Sequence, residues 1–117
     1  MPRDYRLYLD DILESINKIF AYVQDMDFES FAADAKTVDA VARNLEIIGE
    51  AAKNIPERTR KKSGISEKEW IKITGLRNIL AHEYFGINLK VVWDIVQNKL
   101  HPLKNACEKI MAEEKQV

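Results

Sequence analysis

At 117 residues the chain has the length of one domain, residues 1–117, large enough to bury a core yet leaving much of its surface for a partner. Hydrophobic residues make up 46% and charged residues 32%, with four glycines and three prolines, a profile that excludes disorder and a β-rich fold and points to helices throughout. The formal net charge of −1 excludes a global positive field, so any nucleic-acid surface has to be a local patch.

Tyr5, Leu9, Ile12, Ile16, Ile19 and Val23 recur at three- and four-residue steps, which predicts an amphipathic helix over about 4–25 with Asp10, Asp11, Glu14 and Lys18 toward water. Asp25-Met26-Asp27 breaks the pattern. A second helix is expected through Phe31, Ala35, Val38, Ala42, Leu45, Ile48, Ala52 and Ile55, bending near Lys36-Thr37 and stopped by Pro56, whose ring cannot continue a hydrogen-bonded turn. Gly49 inside it costs about 1 kcal/mol relative to alanine and so marks a close approach of another helix.

Residues 56–65 have no apolar period and read as a loop or a short turn of helix. Arg58, Arg60, Lys61 and Lys62 form the only dense basic run there, a solvated loop or a cradle for several RNA phosphates. Ser66 and Glu69 then make a capping box, flanked by Ile65 and Trp70 as a hydrophobic staple, which starts a third helix expected to end by Gly86. Asn88 is placed to cap a fourth helix with Val92, Val96, Leu100, Leu103, Cys107 and Ile110 on one face; Pro102 within it should kink it, with His101 read as part of that kink. Four amphipathic segments on short connections predict an all-α, antiparallel up-and-down four-helix bundle, with room for an additional short helix.

Cys107 has no disulfide partner in the chain and sits among Leu103, Ala106 and Ile110, as a small core residue of a reducing compartment does. No run approaches the ~18 apolar residues of a membrane span, and the N-terminus lacks a signal-peptide core, so a cytoplasmic protein is expected. Nothing in the sequence has the form of a Gly-rich phosphate loop, a zinc ligand set or an H-E-x-x-H helix.

Most of the polar chemistry falls between Gly75 and Gly86, in Leu76-Arg77-Asn78-Ile79-Leu80-Ala81-His82-Glu83-Tyr84-Phe85. Arg77 is a permanent cation with a planar fork of donors, His82 titrates near neutrality, Asn78 both donates and accepts, and Tyr84 carries a phenol. On a helix Asn78 and His82 lie roughly 40° apart and Arg77 and Tyr84 roughly 20° apart, whereas Arg77 and His82 are about 140° apart. All four meet only if the arginine swings round or the helix ends near His82. Structural roles exist for each: His82 at a helix C-terminus, Arg77 paired with Glu83, Glu46 or Glu50, Asn78 as a cap, Tyr84 as a core aromatic.

The order Arg, Asn, three apolar residues, His, any residue, Tyr resembles the R-x4-H-x-Y signature of HEPN-domain ribonucleases, in particular the HepT-like toxins. The resemblance extends to Arg43-Asn44-Leu45-Glu46-Ile47-Ile48-Gly49-Glu50-Ala51-Ala52, similar to that family's long second helix, and to Phe85-Gly86-Ile87 with Val92-Trp93-Asp94-Ile95-Val96, similar to the entry to its last helix. It implies a HEPN-like bundle and a metal-independent endoribonuclease without cofactor, in which two chains form a homodimer and both R-x4-H motifs line one cleft. His82 would be general acid/base, Arg77 would clamp the scissile phosphate, and Asn78 would orient the pair. The resemblance further implies a two-gene toxin–antitoxin system, with a minimal nucleotidyltransferase antitoxin that adds adenylyl groups to Tyr84. The alternative it leaves is a non-catalytic helical subunit that binds substrate for, or regulates, such a nucleotidyltransferase.

Overall fold

The computed structural model describes residues 3–76 and 88–115. Among them there are helices and no strand: α1 (Tyr5–Val23), α2 (Phe28–Ala33), α3 (Ala35–Lys53), α4 (Glu57–Arg60) running into a 3₁₀ turn (Lys61–Ser63), α5 (Glu67–Thr74), and α6 (Leu89–Asp94), which passes through a π-wound segment (Ile95–Lys99) into α7 (Leu100–Lys115).

α1 begins where Asp4 accepts a hydrogen bond from the Arg6 amide at 2.9 Å, supplying a partner that the first turn of any helix lacks. Leu9, Ile12, Ile16 and Ile19 are fully buried, and Glu14 and Lys18 pair on the opposite face at 3.3 Å. Just past the helix end at Val23, Asp25 takes the left-handed conformation (φ 64°) while the Met26 amide closes back on the Val23 carbonyl. Tyr8 and Asp11 of α1 share a polar groove with Arg43, Glu46 and Glu50 of α3 and its C-cap Asn54, so the two helices run antiparallel. Late in α1, the Phe20 ring stacks on His101 of α7 with centroids 4.4 Å apart and planes at 25°.

The second predicted helix is two. The chain breaks at Asp34, two residues before the expected bend, because the Asp34 carboxylate accepts from the Thr37 amide at 3.1 Å and caps a new helix. Asp27 does the same for α2 through the Ser30 amide at 2.8 Å. Aspartate competes with the helical ladder for nearby amides, so each one starts a helix rather than continuing one. Phe31, the single buried residue of α2, meets the Trp93 ring of α6 at 5.0 Å.

At the far end, Pro102 produces a π-wound segment over Ile95–Lys99. Proline at 102 has no N–H for the Asn98 carbonyl, and its ring crowds that carbonyl; a wider turn just before it relieves both. The same turn keeps the apolar stripe in line. The steps from Val92 to Val96 to Leu100 would walk about 80° round an ideal helix, and residues of a π turn wind more slowly. All six predicted positions of the stripe, Val92 to Ile110, are buried.

Candidate functional site

Arg77, Asn78, His82 and Tyr84 lie outside the described residues, as do any ion pairs that Arg77 makes with Glu46, Glu50 or Glu83 and the Ile87 half of the staple expected before α6. The structure describes the elements that lead into and out of them. α5 starts at Ser66, whose Oγ accepts from the Glu69 amide at 3.2 Å. Only this half of the predicted capping box forms among the described residues, since the Glu69 carboxylate faces Lys72 at 3.6 Å and Lys99 at 4.0 Å. The first turn is held by Trp70, fully buried, whose Nε1 donates to Ser63 Oγ at 2.9 Å. Ser63 Oγ in turn donates to the Arg60 carbonyl at 2.6 Å and accepts from the Ile65 amide at 3.1 Å. One hydroxyl thus ties the 3₁₀ turn, the loop and α5 together.

Past α5, Gly75 keeps right-handed backbone (φ −86°, ψ 0°) and its amide still reaches the Ile71 carbonyl at 3.1 Å. Leu76, buried, is the last described residue before Arg77. After the motif the chain is picked up by Asn88, whose side chain accepts from the Lys90 and Val91 amides at 3.1 and 3.3 Å. The described elements before and after residues 77–87 are thus a helix anchored by Trp70 and a helix capped by Asn88.

The basic run divides by role. Arg60 turns inward and pairs with Glu67 at 2.7 Å, with its buried Nε making no hydrogen bond. Lys61 sits 3.7 Å from Glu57. Arg58, Lys61 and Lys62 face solvent. The run lies at the Ser66 end of α5, roughly 15 Å along the helix from Leu76. Sequence reasoning did not find two other features. Lys72 and Lys99, distant in sequence, converge on one carboxylate. An apolar cavity of about 460 Å³ opens between α5 and the π-wound segment. Burial pushes the Cys107 thiol up to about 12, so it stays protonated and inert at neutral pH, as a core residue should.

The profile of the Ribonuclease HepT-like family matches residues 12–110, a span that includes Arg77, His82 and Tyr84. The chain belongs to the HepT-like family. It is 46% identical over 101 residues to a Methanocaldococcus jannaschii protein named a putative RNase, covering 86% of this chain and 82% of that one. It is 40% identical over 110 residues to a Thermococcus cleftensis protein named probable ribonuclease HepT, covering 94% and 98%. A further M. jannaschii protein, named gamma-glutamylcyclotransferase and putative RNase, is 39% identical over 113 residues, covering 97% of this chain but 50% of that protein. No solved structure gives a significant match. Among the described residues no group of three or more His, Cys, Asp or Glu side chains is placed to hold a metal ion, and no helix is long and apolar enough to cross a membrane.

Proposed function

We propose that the whole chain, as a single HEPN-like domain with an antiparallel up-and-down four-helix core, is an endoribonuclease toxin that cuts RNA without a metal ion. The observation that carries this reading is the HepT-like match over residues 12–110, inside which Arg77, His82 and Tyr84 stand at R-x4-H-x-Y spacing. Metal-free cleavage needs a base to take the proton from the ribose 2′-hydroxyl and an acid to protonate the leaving 5′-oxygen, while a cation steadies the phosphorane. The 2′-oxygen bonds to phosphorus, the P–O5′ bond breaks, and a 2′,3′-cyclic phosphate and a 5′-hydroxyl result. One His82 cannot stand on both sides of the phosphorus at once. A homodimer that faces two motifs across a two-fold axis supplies two histidines and two arginines, with Asn78 orienting each pair and the loop cations Arg58, Lys61 and Lys62 holding flanking phosphates.

In this reading a nucleotidyltransferase antitoxin silences the enzyme by adding adenylyl groups to Tyr84. Each added phosphate would occupy the Arg77 clamp by the same charge-assisted bonds that hold RNA. The deciding experiment is cleavage of single-stranded RNA in excess chelator. Activity should persist, vanish in His82→Ala with thermal stability and dimer mass unchanged, and fall on the order of 10²–10³ in Arg77→Ala. A strict metal requirement, or cleavage by a strictly monomeric protein, overturns the composite acid–base site. If the purified protein and its His82→Ala variant are equally inert while both bind a co-expressed nucleotidyltransferase, the chain is a regulatory subunit instead. Tyr84→Phe should block adenylylation and leave cleavage intact.

A further inference from the structure

The cavity between α5 and the π-wound helix starts at Gly64, beside the basic loop, and ends at Leu76, the residue before Arg77. Its volume, about 460 Å³, lies in the range of sites that take small organic ligands. Its inner walls are apolar, with Ile73, Ile95, Pro102 and Leu103 among them, and its rim carries Glu69, Lys72, Asn98 and Lys99. Among the described residues two ammonium groups share one rim carboxylate, that of Glu69, at 3.6 and 4.0 Å, and their side chains are 62% and 53% exposed. The described part of the rim therefore has one positive charge in excess, on flexible stems that can leave the carboxylate at little cost. Asn98, at the rim, donates from its side-chain amide to Asp94 Oδ1 at 2.7 Å, which leaves its side-chain oxygen with acceptor capacity.

From these features we infer that the groove is the track for single-stranded RNA approaching the cleavage site: an unpaired base enters the apolar cavity while Lys72 and Lys99 take the flanking phosphates. Cationic rim and apolar slot together are what single-strand recognition uses, since every base presents a flat apolar face and every linkage a negative charge. The Asn98 oxygen would accept from an exocyclic amine and favour a base that has one. An apolar peptide would satisfy the walls but make no use of the positive charge that Lys72 and Lys99 leave beyond Glu69. The inference rests on the ribonuclease reading and assigns it a substrate path along α5.

The test uses the unaltered chain with methyl-labelled isoleucine and leucine, titrated with a short single-stranded RNA whose riboses are 2′-O-methylated; cleavage then lacks its nucleophile and binding is read alone. The methyl signals of Ile73, Ile95 and Leu103 should move, and those of Ile12 and Ile16 in the α1 core should not. Lys72→Ala/Lys99→Ala should weaken binding about tenfold and flatten the log–log salt slope by about 1.4, the loss of two single-strand phosphate contacts; Lys18→Ala on α1 should change neither. If the methylated RNA binds and its unmodified counterpart is cut but the groove methyls stay still, the groove is not the track and the ribonuclease reading stands. If no RNA binds at all, both fall. Groove methyls that shift with protein concentration in the absence of RNA make it a contact between copies and overturn the inference.

Discussion

The α1–α3 seam and the α5–π seam draw on the same aliphatic residues and end up different. Between α1 and α3, two helices spanning Tyr5–Val23 and Ala35–Lys53 meet along their lengths, and Leu9, Ile12, Ile16, Ile19, Leu45 and Ile48 are all fully buried. Opposite α5 the partner helix is π-wound at Ile95–Lys99, and α5 itself runs only from Glu67 to Thr74. A short helix facing a widened one cannot interdigitate along its length, and a cavity stays open between them. The long seam holds the fold together; the short one leaves a cavity lined as far as Leu76. Alanine in place of an apolar side chain should separate the two. Ile16→Ala empties space in a sealed seam and should cost 2–5 kcal/mol, on the order of other large-to-small core changes, whereas Ile73→Ala, at the wall of an existing cavity, should cost less than about 1 kcal/mol. Chemical denaturation measures both, and equal losses would mean that the α5 seam is closed in solution.

The next effect tests how α5 is held beside its cavity. Ser63 Oγ is the shared partner of Trp70 Nε1, the Ile65 amide and the Arg60 carbonyl. Ser63→Ala leaves a buried indole N–H without an acceptor and should cost roughly 1–3 kcal/mol. Ser63→Thr retains the oxygen and should recover most of it. If Ser63→Ala is neutral, the start of α5 is held by Trp70 packing alone.

Much of this was readable in advance where one residue type has one physical outlet. The α1 stripe, the Ser66 and Asn88 caps, the Trp70 anchor and the Val92–Ile110 face all follow from local chemistry. Asp34 was harder. It sits inside an unbroken apolar period, and its capping bond wins over a pattern that alone predicts one long helix. The π-wound segment follows from Pro102 together with two successive four-residue steps, a combination that a stripe-counting argument takes for a kink. The cavity, the Lys72–Glu69–Lys99 cluster and the Phe20–His101 stack join residues far apart in sequence, and no local rule places them. The Arg77–Tyr84 run was legible only as a pattern of residue types, because spacing gives no more than angles on an ideal helix.

The two glycines flanking α5 should respond with opposite signs. Gly64 holds φ 85° with open space around its Cα, so Gly64→Ala meets no clash but must adopt a left-handed backbone, at about 1–2 kcal/mol. Gly75 is right-handed, and an added Cβ would sit 3.5 Å from the Ile71 and Lys72 carbonyl oxygens, an ordinary contact. Gly75→Ala should therefore stabilise by about 0.4–1 kcal/mol through the unfolded chain. Thermal midpoints that fall for both would show that the turn after α5 needs a glycine.

The smallest effect concerns the sealed seam and comes from pH. The Asp34 carboxyl is held below its ordinary value of 3.8, first by the Thr37 backbone amide and then by the Thr37 side chain; Asp27 is lowered in the same way by the Ser30 amide and hydroxyl. A carboxyl whose folded value is depressed stabilises the fold fully above its unfolded value and loses that contribution as pH falls through the folded one. Acid should then loosen α3 at its first turn, where α3 enters the α1 seam. Asparagine caps as well as aspartate but does not titrate, and it gives up only the favourable interaction of a negative charge with the helix N-terminus. Asp34→Asn should be slightly less stable than the parent at neutral pH. The gap should close as pH falls below 3.8, and the order should reverse once Asp34 is protonated and becomes the poorer acceptor. Thermal midpoints across an acid series test this. Parallel curves for the two proteins would mean that the Asp34 bond does not set the start of α3, and that the break between α2 and α3 is imposed by Phe31 packing on Trp93.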